Sequence, residues 1–238
     1  MKKIIISLLA LALVSIAFAD TTLLGQTGGV QVPNAYVTDS AMISVNQVTG
    51  NSGWGSSRYP SVNIVAPIGD IVEVSGSYYS FGGYGDNNIL TLGGKVAVPV
   101  NLGADLGLGF TYSRSSTFNE VAVYGAVSKK VLGVVATANF KYFEGNSDAY
   151  NFSYDDTLLS FSLDKAFSND VNIGVEYATG NPKGQTAIAD SFYTYGHGYA
   201  NYGNIYCRYQ VTDNFKAQLA VTSVGKNAGL VVGGSYVF

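Results

Sequence analysis

The stretch Ala228-Gly-Leu-Val-Val-Gly-Gly-Ser-Tyr-Val-Phe238 decides the fold. Taken in twos back from Phe238, it sets Tyr236, Gly234, Val232 and Leu230 on one side and Val237, Ser235, Gly233 and Val231 on the other. Side chains of a strand alternate between faces, so one face is largely apolar and carries two aromatics at its end. The sequence then stops on an aromatic with no polar tail, an ending that suits a lipid surface better than water.

The opposite end has the layout of a secretory signal peptide. Lys2 and Lys3 precede an apolar run over residues 4–16, and Ala17-Phe-Ala19 supplies a small-x-small cleavage site before Asp20. Residues 1–19 are therefore expected to be removed, which takes the net charge from −3 to −5 and gives no support to nucleic-acid binding. The remaining chain is rich in Gly (29) and Tyr (18), poor in Pro (5) and only 12% charged. That composition favours strands over helices and fits a body whose outside meets lipid while its inside stays polar. A single Cys207 excludes an internal disulfide, and one His with one Cys argues against structural zinc; no cofactor or metal is expected.

From residue 40 onward the chain falls into about twelve alternating segments of the length a tilted strand needs to cross a bilayer. Their centres lie near Val45, Ile64, Val74, Leu92, Leu108, Val123, Ala136, Phe161, Val175, Tyr206, Leu219 and Val232. Tight-turn compositions occur at Ile68-Gly-Asp70, Pro99-Val-Asn-Leu102, Ser128-Lys-Lys-Val131, Phe167-Ser-Asn-Asp170 and Thr212-Asp-Asn214. Longer connections at 49–59, 81–87, 114–118, 144–153 and 180–198, and a short one at 225–227, fall between them. Short turns on one side and longer loops on the other form the pattern of a transmembrane barrel.

The aromatics exclude a soluble sandwich, which alternation alone would allow. Tyr78, Tyr112, Tyr142 and Tyr177 fall on the apolar face at the loop ends of strands, and Tyr209, Phe215, Tyr236 and Phe238 on that face at turn ends. Two such rings make an interfacial girdle, because amphipathic rings settle at headgroup level. The expected fold is all-β: an antiparallel up-and-down transmembrane barrel of about twelve strands over residues 40–238.

The last strand, with its terminal Phe238 and Tyr236 two residues earlier, resembles the C-terminal strand of bacterial outer-membrane β-barrels of the porin-like superfamily. That resemblance implies residence in the cell outer membrane, contact with its lipid and lipopolysaccharide, and delivery to the barrel assembly machinery through this strand. Residues 20–39 stand apart. Gly25-Gln-Thr-Gly-Gly-Val-Gln-Val-Pro-Asn-Ala35 is Gly-rich and carries a Pro, which disfavours a central strand; the segment either plugs the lumen or lies in the periplasm. Its G-x-x-G-x-x-x-x-P-x-A spacing, followed by Ala41-Met-Ile-Ser-Val45, resembles the opening of YjbH-type outer-membrane barrels, which implies a link to exopolysaccharide production.

The inward register collects Glu73, Lys95, Asp105, Glu120, Lys141, Asp164, Glu176, Arg208 and Lys216. Acids and bases are nearly balanced, which suits a water-lined path or mutual pairing and argues against a strongly ion-selective pore. Gly103, Gly107, Gly109, Ser160, Ser162, Gly174, Gly233 and Ser235 are small inward residues that leave space. Tyr79, Tyr124, Tyr202 and Tyr206 also point inward, where they either stack on a solute or fill volume. Twelve strands lie between a barrel filled by its own side chains and an aqueous channel, so a narrow lumen is expected.

No catalytic residues emerge. Outer-membrane lipases use a His with a Ser, but the one histidine, His197, sits with Asp190 and Ser191 in one long loop rather than in a held triad. Asp155 and Asp156 adjoin in sequence, so within a strand they point to opposite faces; at a loop margin they join Glu144 and Asp148 as an acidic set suited to the cations that bridge lipopolysaccharide. The expected function is a non-enzymatic passive channel for small polar solutes. The alternative is a closed structural or surface-interaction barrel related to the envelope or exopolysaccharide, with a lipid-modifying enzyme a distant third.

Overall fold

The computed structural model describes residues 20–22, 26–28, 32–52, 55–80, 88–100, 103–116, 118–147, 152–180, 202–224 and 227–238. Two short strands, β1 (Asp20–Thr21) and β2 (Thr27–Gly28), pair antiparallel in a sheet of their own. Twelve strands then follow in order: β3 (Met42–Ser52), β4 (Gly55–Ile68), β5 (Val72–Tyr79), β6 (Ile89–Val98), β7 (Asp105–Arg114), β8 (Phe118–Val131), β9 (Val134–Ser147), β10 (Phe152–Ala166), β11 (Val171–Gly180), β12 (Tyr202–Thr212), β13 (Phe215–Val224) and β14 (Asn227–Val237). Each pairs antiparallel with the next, and β14 returns to β3 through Val237↔Met42 up to Gly229↔Gly50, which closes the barrel. All twelve centres read from the sequence fall inside these strands.

Closure satisfies the backbone of every strand without an edge, the condition for spanning lipid. The outer face meets the second condition. Val45, Ile64, Val74, Leu92, Leu108, Val123, Phe140, Phe161, Val175, Ile205, Leu219 and Val232, one from each strand, are between 41% and 63% exposed. Apolar side chains in that number on the outside of a closed barrel are a lipid-facing belt, the outer-membrane type of architecture. Tyr78, Tyr112 and Tyr177 stand outward toward the loop end, with Tyr142 half-buried beside them; Tyr209, Phe215, Tyr236 and Phe238 stand outward at the turn end. Tyr236 and Phe238 meet edge to face at 5.2 Å.

Three connections differ from the sequence reading. β8 runs on through Ser128-Lys-Lys-Val131, and the chain reverses at Leu132–Gly133, between the paired Val131 and Val134. Both turn residues have positive φ (51° and 78°), the geometry of a two-residue hairpin matched to strand twist. The polar triplet Ser-Lys-Lys looks like a turn, but backbone sign rather than polarity sets the reversal point. The connection at 49–59 is much shorter than expected, since β3 and β4 stay paired to Ser52↔Gly55. The connection at 144–153 shrinks similarly, because β9 and β10 pair out to Ser147↔Phe152. Gly103 lies in a turn with φ +69°, not on the inner wall. Residues 1–19 and the loop 180–198 beyond Gly180 lie outside the described residues.

Candidate functional site

The inner wall is built by the second parity of each strand, and it is polar. One continuous row shows how register assembles it. Lys216 on β13 pairs with Ser235, Ser235 with Ser44, Ser44 with Asn63, Asn63 with Ser77, Ser77 with Thr91, Thr91 with Ser113, and Ser113 with Glu120 on β8. Directly opposed side chains touch across strands, so Asn63 donates to Ser44 Oγ at 3.3 Å and the hydroxyls of Thr91 and Ser113 lie 2.9 Å apart. The row climbs from Lys216, next to the β12–β13 turn, to Glu120 near the loop end. Of its hydroxyls and amides only Ser235 was singled out from the sequence, as a small inward residue. Alternation marks each as inward, but only cross-strand register joins them.

The inward charges are gathered mostly into pairs. Lys95 Nζ lies 3.4 Å from Glu73 Oε2, with both side chains almost fully buried. Lys141 sits 3.9 Å from Glu120, and Arg208 sits 3.9 Å from Asp164. Glu176 accepts the Asn204 amide at 2.7 Å, and Arg208 Nε donates to Gln218 at 2.8 Å. Lys216 is buried, and Asp105 is exposed at the turn-end mouth. Pairing satisfies charges that low dielectric would otherwise penalise.

The inward Gly107, Gly109, Gly174 and Gly233 do not leave space, contrary to expectation, because a neighbour stands where a Cβ on each would lie. The Tyr124 ring lies on Gly109 and the Tyr206 ring on Gly174, so closely that a Cβ at either glycine would collide with it. Tyr206 also donates to the Asp164 carboxylate and lies 4.6 Å under the Arg208 guanidinium. Tyr79 is buried at the loop end of β5. Tyr124 and Tyr206 are thus packed against the wall; the Tyr202 side chain lies outside the described residues.

The remaining space holds the N-terminal segment. Thr22, Gln26, Gly28, Val32, Ala35 and Thr38 are all buried. A Cβ on Gly107 would lie 2.8 Å from Ala35 Cα, and one on Gly93 would lie 2.9 Å from Gln26 Nε2. Five hydrogen bonds join the main chain of the segment to the wall, and the Tyr36 hydroxyl adds a side-chain hydrogen bond to Asp105. Val32, Ala35 and Thr38 donate their N–H groups to Glu176 (3.1 Å), Ser128 (3.0 Å) and Glu73 (3.2 Å). The Gly28 carbonyl accepts from Arg208 (3.0 Å), and that of Pro33 from Asn139 (3.4 Å). The sequence had no signal for this course, because a Gly-rich stretch without a period carries no face.

His197, Ser191 and Asp190 lie outside the described residues. Asp155 and Glu144 are exposed cross-strand neighbours, whereas Asp156 turns inward beside Phe143, and Asp148 lies outside the described residues. Among the described residues no three His, Cys, Asp or Glu side chains gather as a metal set.

No family model matches the chain. None of the curated proteins matches it either. Solved structures do. The chain is similar to the KdgM porin in complex with disordered oligogalacturonate (TM-score 0.63, 16% identity, 83% of this chain and 99% of that one). It is similar to the NanC porin (TM-score 0.64, 9% identity, 83% and 99%). It is also similar to an outer membrane channel from Pseudomonas putida F1 (TM-score 0.60, 9% identity, 87% and 99%). The likeness extends more weakly to outer membrane phospholipase A from Escherichia coli (TM-score 0.50, 12% identity, 84% and 91%), so this barrel fold carries both channels and an enzyme. At these identities the likeness is one of fold.

Proposed function

We propose that the protein is a passive outer-membrane channel for small polar solutes. The observation that carries this reading is the two-sidedness of one closed wall: a complete apolar belt outside and, inside, a row of hydroxyls, amides and charges that runs from the turn end to the loop end. A wall so polar serves water and solute, whereas a purely structural barrel of this size is packed more cheaply with apolar side chains. The near balance of inward charge fits a path without strong preference for one sign. The porins and channels among its structural neighbours support the same reading. The test is single-channel conductance of the refolded mature chain in a planar bilayer, with folding verified by the heat-dependent gel shift. Discrete steps support the channel; silence of a folded barrel both with and without residues 20–39 overturns it.

A second reading, a closed surface-interaction barrel, is favoured by the paired charges and by the main chain of residues 32–38 filling the lumen. The same recording decides between the two. The activity is non-enzymatic in either case; lipid hydrolysis that His197→Ala abolishes would show otherwise. Outer-membrane lipid and lipopolysaccharide are the partners of the apolar belt and its two aromatic rings, and β14 with Tyr236 and Phe238 is the element offered to the assembly machinery. Pulse-labelled Phe238→Ser, accumulating unassembled in the periplasm, would support the last assignment.

A further inference from the structure

Five of the contacts that hold the N-terminal segment share one chemistry. Donors leave its main chain at every third residue, Val32, Ala35 and Thr38, and reach acceptors on β11, β8 and β5, spaced three strands apart around the wall. Wall donors on β12 and β9, Arg208 and Asn139, take the carbonyls of Gly28 and Pro33. All five are contacts to peptide N–H and C=O groups, which every polypeptide possesses. Segment side chains add the Tyr36 hydroxyl at Asp105 and the buried apolar Val32 and Ala35.

The wall does not depend on this occupant. Glu73 keeps Lys95, Glu176 keeps Asn204, Arg208 keeps Gln218, and Ser128 keeps the Thr137 hydroxyl at 2.8 Å when the segment leaves. Departure therefore strands no buried charge, the condition under which a docked segment is exchangeable rather than part of the core. The geometry of exit is also simple. The segment joins β3 at the turn end, where Thr38 Oγ1 donates to the Ser40 carbonyl at 2.8 Å in a tight local turn.

We propose that the lumen wall is a binding track for extended polypeptide main chain, that the segment through residues 32–38 occupies it in cis and keeps the channel shut, and that short unstructured peptides are the ligands that take its place. The inference rests on the channel reading for its consequence, the block of conduction. Peptides fit the track by chemistry. Glu73 and Glu176 accept from N–H donors, which a peptide supplies at regular intervals; a polyuronate offers hydroxyl donors but brings further carboxylates, which these two repel. Because five of its contacts are to main chain, with Tyr36 at Asp105 the side-chain addition, the track tolerates many peptide sequences that keep that tyrosine.

The test uses the full mature chain carrying Ala35→Pro and Thr38→Pro, which deletes two segment donors and leaves the barrel ladder intact. Binding of a labelled peptide of sequence 32–40 to the refolded protein is read by fluorescence anisotropy, and conductance is read in a planar bilayer. The proline variant is expected to bind the peptide at least about tenfold more tightly than the wild type, in proportion to the larger fraction of vacant tracks. It is also expected to show larger conductance steps, which the peptide blocks. The same peptide N-methylated at the positions of Val32, Ala35 and Thr38 is expected not to bind, whereas one with other side chains altered and Tyr36 kept binds comparably. Equal affinity of the wild type and the proline variant, or undiminished binding of the N-methylated peptide, overturns the track. Block by an oligosaccharide but not by the peptide overturns the ligand class. If every chain is silent in the bilayer, the one without residues 20–39 included, the channel reading and the gate fall together, and the anisotropy result still decides the track.

Discussion

Glu73 Oε2 on β5 is shared by two donors: the Lys95 ammonium at 3.4 Å and the Thr38 main-chain N–H at 3.2 Å. One buried carboxylate thus ties neighbouring strands to each other and to the segment inside them. Truncating it leaves Lys95 almost fully buried without that partner, and a broken buried pair costs roughly 3–5 kcal/mol. Glu73→Ala is expected to lower barrel stability by about that amount. Glu73→Leu combined with Lys95→Met is expected to recover most of it, short of the roughly 1 kcal/mol tied to the Thr38 hydrogen bond. Urea unfolding of the refolded barrels checks both; equal losses in the single and double variants would refute the pairing argument.

Gly174 and Tyr206 are opposed across β11 and β12, with the phenol ring occupying the place a Cβ would take. Gly174→Ala therefore forces the ring away from Asp164 and Arg208, an overpacking cost of about 1–3 kcal/mol. A smaller residue at 206 removes the conflict, so Gly174→Ala with Tyr206→Ser is expected to cost less than the two changes summed, by about 1 kcal/mol or more. The heat-dependent gel shift of the four proteins provides the cycle. Simple additivity would mean that the ring does not rest on the glycine.

The belt predicts depth dependence. Leu219 is outward in the middle of β13, and Val131 is outward at the last residue of β8 beside its turn. Arginine at mid-bilayer costs about 2–4 kcal/mol, and near the interface about 0–1. Leu219→Arg is expected to depress folding into phospholipid vesicles strongly, and Val131→Arg barely. Similar penalties at both positions would place the bilayer elsewhere on the barrel.

These relationships were unequally legible. Twelve strand centres and the outward aromatics could be read because alternation is a property of one strand at a time, and lipid outside makes it strict. The reversal at Leu132–Gly133 was missed because Leu132 adopts positive φ without belonging to a residue type that favours it. The inward charges were identifiable singly, but which acid meets which base depends on register between strands, as Glu73↔Lys95 illustrates; Arg208 stands opposite Asn172 and reaches Asp164 two strands away. The glycines misled, since Gly109 and Gly174 signal close approach by a neighbouring tyrosine and Gly107 close approach by Ala35, not vacancy. The sequence left the N-terminal segment between lumen and periplasm, because five of its contacts run through main-chain atoms that every sequence shares.

Tyr36, in that segment, gives a pH signature for its seating. Its hydroxyl is half-buried at the turn-end mouth, and burial first, then the Asp105 carboxylate that it faces and hydrogen-bonds, pushes its pKa up from 10.0 to about 12. Both causes favour the neutral phenol in the seated state. The sign follows: a folded-state pKa raised above the free value gives stability that is whole below about pH 10 and lost as pH rises through about 12. Alkali should therefore loosen the segment before it unfolds a barrel held by its closed ladder. The tyrosinate absorbance difference between the wild type and Tyr36→Phe is expected to titrate near pH 12, with a lower midpoint in Asp105→Asn. Protease cleavage within residues 32–40 should rise over the same range in the wild type and stay flatter in Tyr36→Phe. A difference titration centred near pH 10, unmoved by Asp105→Asn, would mean that Tyr36 is not seated against Asp105 in solution.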